Sequence, residues 1–142
     1  GPGLNNRLNM TLREKHGLVY HVESAYNRYF DTGTWYLYFG TDKENLNKCL
    51  RLVNKELEKL REKELGSLQL HKAKQQMIGQ LAIASDNSAN QLFALGKSFL
   101  IYNKIDSLKK VYKKIENTNA GYLRDIANEI FNKDNLSTLI YH

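Results

Sequence analysis

Arg13 and Tyr20, seven positions apart, are a cation that cannot lose its charge and a phenol that can donate a proton. Together they are a usual pair for holding a carbonyl oxygen or a developing oxyanion. The segment between them, Glu14-Lys15-His16-Gly17-Leu18-Val19, runs a helix into a strand. Leu4, Leu8 and Leu12 recur every four residues, as one face of a helix requires, and Gly17 is the residue type that ends helices in the left-handed conformation. Arg13 therefore falls about one turn before the stop, and Tyr20 stands at the mouth of a strand whose side chains alternate from Val19 onward. A plainer use exists for each residue. An arginine in a last helical turn can cap carbonyls, and a tyrosine opening a strand is often half-buried packing. Spacing alone does not separate the two readings.

Other stretches fall in an order that carries more information. Asn6-Arg7-Leu8 precedes the helix end, Asp31-Thr32-Gly33 precedes an aromatic strand, and Gly40-Thr41-Asp42 precedes a helix beginning Glu44-Asn45-Leu46. Leu70-His71-Lys72-Ala73-Lys74-Gln75-Gln76 follows, and the chain closes on Ile126 to Phe131 and Leu136 to Tyr141. With Arg13 to Tyr20, this series resembles the second-domain segment of the inverted-motif zinc metallopeptidases, the family of pitrilysin, insulin-degrading enzyme and the mitochondrial processing peptidase. The likeness covers nearly the whole chain.

The resemblance implies a zinc and a general-base glutamate on a His-x-x-Glu-His helix of another domain. It also implies that Arg13 and Tyr20 reach across to the peptide there, orienting the scissile carbonyl and stabilising its oxyanion. This chain has no such helix. None of His16, His21, His71 and His142 lies at the spacing the motif needs. Zinc is accordingly expected in the catalytic domain of a longer parent, with no cofactor bound by these residues. The family's domain also begins with a strand and a helix before this point, so the chain is expected to be a fragment. Gly1-Pro2-Gly3 is similar to a glycine-rich loop of the processing peptidase's non-catalytic subunit, and is equally what an expression remnant looks like.

At 142 residues the chain has the length of one domain, 1–142, able to bury most of its apolar surface around one core. Hydrophobic residues are 42% and charged ones 25%, as in an ordinary globular protein, and no apolar run nears the ~18 residues of a membrane span. No signal peptide is visible, which leaves the parent's compartment open. The single Cys49 lies in an apolar helical row with Leu46, Leu50 and Val53, and reads as a small buried hydrophobe. A net charge of +6 raises the question of nucleic acid. Against it, Leu108, Val111, Tyr112 and Ile115 form a buried stripe that puts Lys109, Lys110, Lys113 and Lys114 on a solvated face, and no reading module is present. An acidic peptide or partner domain suits that charge better.

The remaining pattern supplies the frame. Val19 to Tyr29 and Thr34 to Gly40 predict an antiparallel hairpin about Phe30-Asp31-Thr32-Gly33, with Trp35, Leu37 and Phe39 on one face and Tyr36 and Tyr38 on the other. One face should pack on helices, and an edge or face beside Tyr20 is where an extended peptide would add. His21 and Glu23 share a strand face as a surface contact, without zinc. Thr41 and Glu44 have the capping-box pattern before a long helix with Leu46, Leu50, Val53, Leu57 and Leu60 inward and Lys55, Glu56, Glu58, Lys59, Arg61 and Glu62 on the wet side. A helix through Leu70, Ala73, the core-filling Met77, Ile78 and Leu81 runs to a polar break at Ser85-Asp86-Asn87-Ser88. Beyond it comes a helix apolar nearly all round, Leu92 to Leu100, expected to lie buried between neighbours. Ser107 and Asn119 start two shorter helices, and Leu136 to Tyr141 predicts a final strand joining the sheet.

The expected architecture is α+β, a small, mainly antiparallel sheet covered on one face by several helices, like a processing-peptidase domain without its first strand and helix. The expected role is the substrate-binding, non-zinc portion of a zinc metalloendopeptidase, inactive alone. The alternative is a non-catalytic peptide-binding or scaffolding module of the same fold. The partners implied are the zinc-carrying domain and a peptide, with a second copy covering the open sheet edge as a further hypothesis.

Overall fold

The computed structural model describes residues 2–86 and 88–141. Asn87, within the expected polar break, and the terminal Gly1 and His142 lie outside the described residues. The chain divides into two compact units, Gly1–Leu65 with Ala120–His142, and Gly66–Asn119.

The first unit opens with α1 (Pro2–Leu8), which widens without interruption into a π-helical segment, Asn9–Glu14. The leucine repeat accounts for the widening. A four-residue spacing overshoots the ~3.6 residues of an α-turn and undershoots the broader π-turn, so using both keeps Leu4, Leu8 and Leu12 on one face. Leu8 and Leu12 are fully buried there, at 0% and 1% exposure. Strands β1 (His21–Arg28) and β2 (Gly33–Gly40) then pair antiparallel, with Val22 opposite Phe39, Ser24 opposite Leu37 and Tyr26 opposite Trp35. The outer end of the exposed Tyr26 ring lies where a side chain at Gly33 would begin, so the glycine lets that ring lie across the hairpin end.

A 3-10 turn (Lys43–Asn45) leads into α2 (Leu46–Glu62). Cys49, Val53 and Leu57 of α2 meet Leu8, Leu12, Leu18, Val19 and Val22 in one core, flanked by Trp35, Leu37, Phe39, Phe131 and Leu136. The hairpin thus packs one face inward, as its alternation requires, while Tyr36 and Tyr38 stay exposed. Helix α6 (Ala120–Ile130) packs along α2, and Trp35 meets Phe131 edge-on at 4.8 Å between ring centres.

Three expectations change in this unit. Thr41 and Glu44 form no capping box, because the Thr41 hydroxyl donates to the Leu18 carbonyl instead. Glu56 is buried at 6% exposure rather than on the wet side, since it accepts from Lys59 Nζ at 2.6 Å and from Thr11 Oγ1 at 3.5 Å of the π segment. The closing strand is absent. After a 3-10 turn (Lys133–Asn135), residues 136–141 run without ladder partners; Leu136 packs on the core, while Leu139 and Tyr141 are exposed. β-propensity extends a chain but makes a strand only where a neighbour offers free backbone groups.

The second unit is helical: α3 (Ser67–Ser85), α4 (Ser88–Tyr102) and α5 (Leu108–Asn117), with α3 packed on both others. Here Met77 and the apolar α4 depart from expectation. Met77 is half exposed, and Leu92, Phe93 and Leu100 are 72%, 78% and 83% exposed, although α4 packs on α3. Ser107 caps α5 by accepting from the Lys110 amide, and the α5 lysines are exposed. No helix among the described residues is long and apolar enough to cross a membrane.

Candidate functional site

The corner between the π segment and β1 is fixed by backbone bonds that leave little slack. The Lys15 amide donates to the Met10 carbonyl at 3.0 Å, Gly17 to Arg13 at 2.8 Å and Leu18 to Leu12 at 2.8 Å. Gly17 turns the chain at φ +60°, the left-handed conformation that a glycine adopts without penalty. Leu18 and Val19 are then driven into the core at 7% and 6% exposure, which anchors the corner from below.

The next residue emerges again. Tyr20 is 73% exposed, its amide donates to the Gly40 carbonyl at 3.0 Å, and its hydroxyl donates to Asp42 Oδ1 at 3.0 Å. That bond and the nearby negative charge hold the phenol above its ordinary pKa of 10.0, so the proton stays on Tyr20 around neutral pH. Arg13 is exposed, and its guanidinium makes no ion pair or hydrogen bond among the described residues. The carbonyls of Met10, Arg13 and Leu12 at this helix end accept from the amides of Lys15, Gly17 and Leu18. Among the described residues the Arg13 guanidinium caps no carbonyl, and the Tyr20 ring is largely exposed. What the corner offers chemically is a permanent cation and a neutral hydroxyl, both in solvent, on a rigid support.

Three residues around this corner escaped the sequence reading. Asp42 was visible only as part of Gly40-Thr41-Asp42, with nothing to say that the strand end would carry it to Tyr20. Asn5 accepts from the Ser24 amide at 2.6 Å and the Ser24 hydroxyl at 2.8 Å, and donates to the Ser24 carbonyl at 3.3 Å. Its amide thus stands in for a neighbouring strand, and a peptide adding to β1 at Ser24 would first have to displace it. Thr11 reaches the buried Glu56 and fixes the π segment to α2. No local pattern announces such long-range side-chain bonds.

The outer sheet face holds a further polar group: His21 Nε2 lies 3.4 Å from Glu23 Oε2, and the Tyr36 hydroxyl donates to Glu23 Oε1 at 3.2 Å. Among the described residues no three His, Cys, Asp or Glu side chains converge as metal ligands. A zinc needs three or four such donors, so these residues do not fit one.

Comparison with known proteins bears on the family and the fold. Residues 1–77 match the family described as the Peptidase M16 inactive domain. The chain is 26% identical over 140 residues to the uncharacterized zinc protease YmxG of Bacillus subtilis, covering 99% of this chain and 34% of that protein. It therefore spans about a third of the length of the curated relatives it matches. Among solved structures, the peptidase M16 inactive domain from Pseudomonas fluorescens superimposes with a TM-score of 0.71 at 22% identity, over 87% of this chain and 29% of that one. A chain of Complex III2 from Candida albicans gives 0.76 at 20%, over 87% of this chain and 29% of that one. The α+β fold, the order of motifs and the match over more than half of the sequence agree: the chain belongs to the Peptidase M16 inactive-domain family.

Proposed function

We propose that this chain is the substrate-binding portion of the non-zinc, C-terminal domain of a longer zinc metalloendopeptidase, residues 1–142 all belonging to that domain. The observation that supports it most is the corner itself: a guanidinium without a partner among the described residues and a protonated phenol, both exposed, on backbone held by a glycine turn and two buried anchors. Arg13 supplies a fixed positive charge, and Tyr20 a hydroxyl proton, for the carbonyl oxygen of a peptide whose cleavage is carried out elsewhere. Among the described residues no side chains converge as zinc ligands, and the family resemblance assigns the metal and the general base to a catalytic domain, which is the proposed partner along with the peptide. A second copy of the chain is a further proposed partner when that domain is missing.

The test is turnover by the longer protein. Tyr20→Phe and Arg13→Ala are each expected to lower kcat/KM by ~10²-fold or more, the size of losing one oxyanion donor. Unchanged turnover in both variants refutes the role.

One observation favours a second reading, a non-catalytic interaction module: a chain of similar fold sits in Complex III2 from Candida albicans. The coding sequence decides. A His-x-x-Glu-His segment upstream of this chain supports the peptidase, and a degenerate one supports the module.

A further inference from the structure

A phenol has one proton to give. In this structure Tyr20 gives it to Asp42, so it is not free for a peptide carbonyl. The contact is not a chance meeting of two mobile surface chains, because both residues are held by backbone. Tyr20 is tied to Gly40, Thr41 is tied to Leu18, and the Asp42 carbonyl accepts from the Asn45 amide at 2.9 Å at the start of the 3-10 turn. Among the described residues, the Asp42 carboxylate has Tyr20 as its hydrogen-bond partner.

We propose that Asp42 holds Tyr20 in a resting state, in which the hydroxyl is withheld until a substrate carbonyl displaces the carboxylate. This rests on the reading of Tyr20 as a carbonyl donor and names what controls it. Asp42 is a positioning residue, an internal competitor for the proton that substrate needs. A charged acceptor outbids a neutral peptide oxygen in a plain exchange. Arg13 shifts the balance, since a carbonyl that also receives the guanidinium gains a second donor that the Tyr20–Asp42 bond lacks. The substitution Asp42→Asn removes the charge at nearly constant size: a neutral amide oxygen holds the phenolic proton no better than a peptide carbonyl does, so substrate no longer has to displace a carboxylate.

Two measurements test this. In the isolated chain, carbon-13 NMR of labelled tyrosine follows the Tyr20 titration, and Asp42→Asn is expected to bring it down toward the ordinary phenol value. An unmoved titration means that the bond is absent in solution and overturns the proposal. In the longer protein, cleavage of fluorescein-labelled casein is compared for the wild type, Asp42→Asn, Tyr20→Phe and the double variant. Asp42→Asn should raise kcat/KM by about threefold to tenfold, the scale of one net hydrogen bond, mainly through KM, and should do nothing once Tyr20 is Phe. No gain, a loss, or an equal gain in the Tyr20→Phe background overturns the resting state, while a large Tyr20→Phe defect would still leave the donor role standing. If Tyr20→Phe has no effect, or the wild type cleaves nothing, the donor reading fails and the resting state with it.

Discussion

Gly17 carries the whole change of direction between Arg13 and Tyr20, and it does so by conformation rather than by making room. Its φ is +60°, and no atom lies within 4 Å of where a side chain would begin. Gly17→Ala is therefore expected to cost ~1 kcal/mol through backbone strain alone, with no steric share. Gly17→Asn should cost less, because asparagine tolerates the left-handed region. Urea denaturation reads both as shifts in midpoint at constant slope. Equal losses from the two substitutions would mean that something besides φ is strained. Under the proposed function, in which Arg13 and Tyr20 flank this turn and meet a peptide, the strained variant should also lose turnover in the longer protein out of proportion to its small loss of stability.

At the scale of elements, α5 is held at its start by a charge arrangement that can be followed with pH. Asp106, just before the helix, accepts from Lys110 Nζ at 2.8 Å and Lys114 Nζ at 2.7 Å, and these bonds lower its pKa from 3.8 to about 2. A carboxyl group lowered on folding stabilises the folded state above its unfolded pKa, and that contribution disappears as pH falls through the folded one. The anchoring of α5 should thus be complete above pH ~5, weaken as pH falls, and be lost below pH ~2. Carboxyl NMR is expected to place the Asp106 midpoint near the lower value and to return it toward the ordinary value in the Lys110→Ala, Lys114→Ala double variant. A normal midpoint in the unaltered protein would show that the pairs do not form in solution. This element also shows what a sequence can disclose. The Ser107 cap and the outward lysines are local signals, and both hold; of the expected buried stripe, Val111, Tyr112 and Ile115 are only half-buried and Leu108 is exposed. The hairpin alternation and the stop at Gly17 were legible for the same reason. The burial of Glu56, the Asn5 bond to Ser24 and the Tyr20 bond to Asp42 were not, because each depends on a partner 19 to 45 positions away. The unpaired stretch 136–141 and the exposed α4 fail for a related reason: apolar content says that a segment wants a neighbour, not that one is present.

For the molecule as a whole, the uneven distribution of buried apolar side chains sets an order of local stability. Leu8, Leu12, Leu18, Val19, Val22, Cys49, Val53, Leu57 and Ala127 are buried, and all belong to the unit of residues 1–65 and 120–142. In the unit of residues 66–119, α3 and α5 bury no residue completely, and Ile83, Phe93 and Leu100 remain 75%, 78% and 83% exposed. That unit also carries eight lysines against three acidic residues, so its like charges repel at low ionic strength. Amides open most readily where few apolar contacts oppose the opening. Native-state hydrogen exchange should therefore find its slowest amides in α2 and in the paired strands β1 and β2, with α3 to α5 exchanging through smaller local openings. Raising the salt concentration should slow the second group more than the first, because screening removes a repulsion that only the second group feels strongly. Uniform protection along the chain would contradict the ranking and would require the exposed face of α4 to be covered in solution. In the longer protein, loss of that exchange difference would show that segments beyond this chain supply the cover. Rigidity at the Arg13–Tyr20 corner does not depend on that outcome, because its anchors, Leu12, Leu18 and Val19, lie in the unit that already has its core.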